Sequence, residues 1–80
     1  MVSAKVTVVF KEGVLDPQGK TIYSALQDLG YNSVKSVSTG KVFNLNIDKN
    51  DRQDAERELN EICQKLLANP VIENYRIEVE

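Results

Sequence analysis

The 80 residues contain no histidine, which removes histidine base catalysis, Ser-His-Asp chemistry and imidazole metal ligation together. The single cysteine, Cys63, cannot build a zinc site, and it falls among aliphatic residues at helical spacing, the setting of a core thiol rather than of a nucleophile with its base. Gly13 to Thr21 ends in Gly19-Lys20-Thr21 as a phosphate-binding loop does, but one residue too many separates Gly13 from Gly19, so the segment reads as a turn leading into a capped helix. Carboxylates are plentiful. Asp51, Asp54, Glu56, Glu58 and Glu61 are interleaved with Arg52, Arg57 and Lys65, which is the composition of a solvated helix face and not of a paired acid-base site. No residue pattern supports an autonomous enzyme.

Elements can be read from the periodicity. Ala4, Val6, Val8 and Phe10 alternate with Lys5, Thr7, Val9 and Lys11, which predicts a strand with one buried face. Asp16 is placed to cap a helix that Pro17 begins. Ile22, Ala25, Leu26 and Leu29 then recur at helical spacing for about three to four turns, and Gly30 supplies a left-handed stop. Val34 to Thr39 predicts a weaker strand and Gly40 a turn, followed by a clear strand from Val42 to Asp48 with Phe43, Leu45 and Ile47 on one face. A second helix carries Ala55, Leu59, Ile62, Cys63, Leu66 and Leu67 on one stripe and stops at Asn69-Pro70. Tyr75, Ile77 and Val79 close the chain on a last alternating strand.

The expected fold is therefore α+β, a ferredoxin-like βαββαβ sandwich with a four-stranded antiparallel sheet and two helices on one face, formed by residues 1–80 as one domain. Its uncovered face carries Lys5, Thr7, Val9, Val42, Asn44, Asn46, Arg76 and Glu78, polar at the margins and partly apolar at the centre. An RNA-binding module of this topology stacks bases on aromatics at such positions, and none is present.

Twelve acidic and ten basic residues give a net charge of -2 without a basic run, so nucleic acid and acidic membranes are poor partners. No 18 apolar residues run together, no targeting segment is legible, and one free thiol fits a reducing compartment, so the expected location is the cytoplasm. A chain this short buries only about 60 to 65% of its unfolded surface, which favours association with other chains.

Val14-Leu15-Asp16-Pro17-Gln18-Gly19-Lys20, Ala25-Leu26, Leu29-Gly30-Tyr31, Gly40-Lys41 and Leu67 through Tyr75, in this order and spacing, strongly resemble the PurS family nearly end to end. That family is the small subunit of phosphoribosylformylglycinamidine synthase, assembled from PurS, the synthetase PurL and the glutaminase PurQ. The resemblance implies a role in purine biosynthesis, in the conversion of formylglycinamide ribonucleotide, glutamine and ATP to the amidine, glutamate, ADP and phosphate. It implies a non-catalytic chain that forms a homodimer or a dimer of dimers and bridges PurL and PurQ so that ammonia reaches the synthetase before solvent takes it. No cofactor is expected in this chain; ATP and magnesium are expected in the partner synthetase. Ser38 stands where many relatives carry arginine, which leaves Lys41 as the cation at that strand end. Leu15, Asp16, Pro17, Gln18, Gly19 and Lys20, with Lys41, are the expected partner contacts, because functional contacts favour loops on a rigid scaffold. A purely structural reading of Asp16, Pro17 and Gly19 as cap, helix start and flexible residue stands beside it. The alternative function is a small-molecule-binding regulatory domain, since similar βαββαβ units bind amino acids between paired copies.

Overall fold

A computed structural model describes residues 1–80. The order is β1 (Val2–Phe10), α1 (Pro17–Asp28), β2 (Gly40–Ile47), α2 (Arg52–Ile62, continued by a π-helical turn over Cys63–Leu67) and β3 (Glu73–Val79). β1 is the centre of a three-stranded antiparallel sheet ordered β2-β1-β3, with Val6 opposite Phe43 on one side and Ile77 on the other. The alternation read from the sequence is realised in all three strands: Ala4, Val6 and Val8 are buried, and Phe43, Leu45, Ile47, Tyr75, Ile77 and Val79 pack beside them.

The fourth strand of the expected ferredoxin-like sandwich is absent. Residues 34–39 form a segment without regular structure that runs alongside α1, where the Gln27 side-chain amide donates to the Val34 carbonyl at 3.0 Å and the Val37 carbonyl lies against Gly19. The physical reason is in the spacing. Val34 and Val37 are three apart, so they cannot share one face of a two-residue repeat, and both lie half-buried beside the helix.

The second correction concerns the helices, which do not share one face of the sheet. β2 and β3 flank β1 and run in the same direction, so the chain between them must return along the sheet, and α2 does so, packing on β3 and burying Leu59 and Cys63 in one cluster with Ala4, Val6 and Val8 of β1. β1 and β2 are antiparallel neighbours whose adjoining ends pair at Val9 and Gly40, so nothing obliges their connection to cross the face. Residues 17–39 instead form an arm, α1 and the returning segment, in which α1 has no substantial packing on the sheet or on α2. The molecule is accordingly long and thin, 51 × 24 × 14 Å, with a radius of gyration of 16.2 Å where a compact chain of this length has about 12 Å.

One stripe residue of the second helix is also displaced. The Ala68 amide bonds to the Cys63 carbonyl at 2.9 Å, closing a five-residue step that widens the last turn and advances the phase. Leu67 and Ala68 turn inward, while Leu66, expected in the core, is 79% exposed.

Candidate partner-contact site at the root of the arm

Asp16 sits where the arm leaves the sheet. Its backbone is extended, Pro17 opens α1 behind it, and its carboxylate accepts from the Gly19 amide at 2.9 Å, which is the helix cap read from the sequence. The same carboxylate accepts from the Thr39 amide at 2.6 Å and from the Thr39 hydroxyl at 2.9 Å. One side chain thus ties the outgoing root of the arm to the returning one, 23 residues later. The Gly19 and Thr39 amides favour the ionised form and hold the Asp16 pKa below the ordinary carboxylate range, against a smaller opposing effect of desolvation. Gly19 is buried at this junction, and a β-carbon there would lie 2.6 Å from the Val37 carbonyl oxygen. Only glycine fits.

The structure brings part of the expected set together and parts the rest. Asp16, Pro17, Gln18 and Lys41 line a groove of about 250 Å³ with Val8, Phe10, Thr39, Gly40 and Glu73. Leu15 and Lys20 lie on the other side of the root, beside Tyr23, Lys35 and Val37. Leu15 is exposed by 65%, and Pro17, Gln18, Lys20 and Lys41 are exposed as well. Both acids of the groove are engaged within the chain, Asp16 as above and Glu73 by the Asn69 amide at 2.7 Å. Neither Lys20 nor Lys41 forms an ion pair, so two solvated cations flank the root. Thr39, Phe10 and Glu73 were not singled out in the sequence; only the fold brings them to Asp16.

Elsewhere the surface offers little chemistry. No group of three or more His, Cys, Asp and Glu side chains is arranged to hold a metal. Cys63 is fully buried and desolvation pushes its thiol pKa up, away from the thiolate. The α2 acids pair along the helix, Arg57 with Asp54 at 3.4 Å and Arg52 with Glu56 at 3.9 Å, on exposed side chains where such pairs are worth little. On the open sheet face Arg76 meets Glu78 at 3.1 Å, and Val9 and Val42 are the exposed apolar residues. No helix is long and apolar enough to cross a membrane.

The groove and its two lysines could serve a ligand or a protein, and comparison with known proteins decides the family. Residues 3–80 match the family model PurS, described as phosphoribosylformylglycinamidine (FGAM) synthase. This chain belongs to the PurS family. The phosphoribosylformylglycinamidine synthase subunit PurS of Archaeoglobus fulgidus is 53% identical over 74 residues, covering 92% of each chain. That of Bacillus subtilis is 51% identical over 80 residues, all of this chain and 94% of its own, and a crystal form of B. subtilis PurS superposes with a TM-score of 0.91 over 100% of this chain and 99% of that one. A chain in the structure of PurLQS from Thermotoga maritima is 27% identical and superposes with a TM-score of 0.86 over 100% of this chain and 99% of its own. Membership places this chain as the PurS subunit of FGAM synthase, in purine biosynthesis.

Proposed function

We propose that residues 1–80 act as one unit, the non-catalytic chain that joins a PurL synthetase to a PurQ glutaminase in the cytoplasm, so that ammonia released from glutamine aminates formylglycinamide ribonucleotide before it escapes. The observation that carries this reading is the likeness, over the full chain, to a chain of the T. maritima PurLQS structure. ATP and magnesium belong to the synthetase, and the contribution of this chain is positional: it raises the effective concentration of ammonia at a second active site. The absence of histidine and the burial of the only thiol support such a division of labour.

Leu15, Asp16, Pro17, Gln18, Gly19 and Lys20, together with Lys41, form the contact in this reading, with distinct parts. Leu15, Gln18, Lys20 and Lys41 present exposed groups; Asp16, Pro17 and Gly19 fix the backbone that presents them. Unpaired lysines at a rim act on association and its salt dependence by attraction to acidic surface. Reversing both charges in a Lys20→Glu, Lys41→Glu protein is expected to weaken association with PurL and PurQ by about tenfold or more, with an unchanged circular dichroism spectrum. Undiminished association in a sedimentation assay at low salt rules the root of the arm out as the contact.

A further inference from the structure

The strand register places two charges on a face that is otherwise apolar. Residues directly opposite one another in neighbouring strands share a face, and Val8 lies opposite Lys41 of β2 while Phe10 lies opposite Glu73 of β3. The remaining positions of that face, Phe43, Leu45 and Ile47 on β2 and Tyr75, Ile77 and Val79 on β3, are apolar and pack on the core. At this end of the sheet the apolar rows therefore give way to a cation on one side of β1 and a carboxylate on the other. The two do not pair with each other or with any other charge. Glu73 engages only Oε1, with the Asn69 amide, so Oε2 is left to accept from a ligand. Between the two charges lies the groove of about 250 Å³, floored by Val8 and Phe10 and walled by Pro17 and Gln18 of α1. Asp16, the other acid of the groove, has both oxygens occupied by Gly19 and Thr39.

We propose that this groove binds a free α-amino acid as its zwitterion, with the Lys41 ammonium on the ligand carboxylate, Glu73 Oε2 on the ligand ammonium and the ligand side chain against Val8 and Phe10. The dimensions agree. The rows of β2 and β3 are two strand spacings apart, about 10 Å. Two charge-assisted hydrogen bonds of about 2.8 Å, with about 3 Å from the nitrogen to the carboxylate oxygens of an α-amino acid, span about 9 Å. The volume falls below the roughly 300 to 1,000 Å³ of pockets that take drug-sized molecules, which suits a ligand of amino-acid size. Selectivity follows from the pair of charges: a ligand carrying one charge leaves the opposite member unmatched, and a phosphate ester meets an acceptor, Glu73, that repels it. The inference goes beyond the bridging role. Because Lys41 also belongs to the proposed partner contact, the ligand is to be measured on the chain by itself, where failure leaves the bridging reading untouched.

L-leucine, matched to the apolar floor, is the probe. Titrated into the isotope-labelled chain, it is expected to shift the amide resonances of Phe10, Gln18 and Lys41 with half-saturation at about 1 mM or below, and the absence of saturable shifts there overturns the proposal. N-acetyl-L-leucine, which lacks the ammonium, and L-leucinamide, which lacks the carboxylate, are each expected to bind at least about tenfold more weakly. Equal binding of either overturns recognition of the zwitterion. Lys41→Met and Glu73→Gln proteins, the second of which keeps an acceptor for the Asn69 amide, are each expected to bind L-leucine about tenfold more weakly or worse with circular dichroism unchanged. Undiminished binding in either overturns the proposal. A Lys20→Met protein, altered on the other side of the root, is expected to bind as the parent does; an equal loss there assigns the effect to net charge and overturns the site.

Discussion

Asp16 is the residue on which the arm turns. Its three hydrogen-bond partners span 23 residues, so its charge supports the helix start and the closure of the arm at once. Folding depresses its pKa, so its contribution is complete above the ordinary carboxylate range and is lost as pH falls through the depressed folded value. An Asp16→Asn protein is thus expected to melt below the parent at neutral pH, with the two midpoints converging in acid; calorimetry across that range checks it. Gly19→Ala, which drives a β-carbon into the Val37 carbonyl, is expected to loosen the same junction, visible as faster hydrogen exchange in residues 34–39 while the β1 amides keep their protection. The cap, the helix-starting proline and the core position of Cys63 were legible because each is local. Thr39 was not, since nothing in a sequence window marks a partner so far along the chain.

Among the elements, the three strands and both helices follow from alternation and helical spacing, and the departures follow from a period that changes. The stripe on α2 was counted at a constant helical repeat, and the widened turn at Cys63 resets it, so that Leu66 drops out, Leu67 stays and Ala68 joins the core. Leu67→Ala is therefore expected to cost about 1 to 3 kcal/mol and Leu66→Ala no more than about 0.5 kcal/mol in urea unfolding. Leu59→Ala, at a fully buried position facing β1, is expected to cost about 2 to 5 kcal/mol. On α1 the helix was correctly placed, but Ile22, Ala25 and Leu29 of its stripe are exposed and only Leu26 is half-buried, because helical spacing marks an apolar face without naming the surface it meets.

At the scale of the molecule, strand alternation suggests a covered sheet, while connectivity decides which helix covers it. α2 must recross between parallel strands; α1, joining antiparallel neighbours, is free to leave. This freedom gives a small chain a reach of 51 Å, with two unpaired lysines at the root of the arm, geometry suited to a chain that works by holding others. Composition alone excluded catalytic classes and named none; the order of motifs along the chain pointed to the family, and the relatives established it. The most direct test of the bridging role is amidation of formylglycinamide ribonucleotide by matched PurL and PurQ, with ATP and either glutamine or free ammonia, in the presence and absence of this chain. Glutamine-dependent product is expected only when the chain is added, with the ammonia-dependent reaction proceeding either way. Full glutamine-dependent turnover without it contradicts the account.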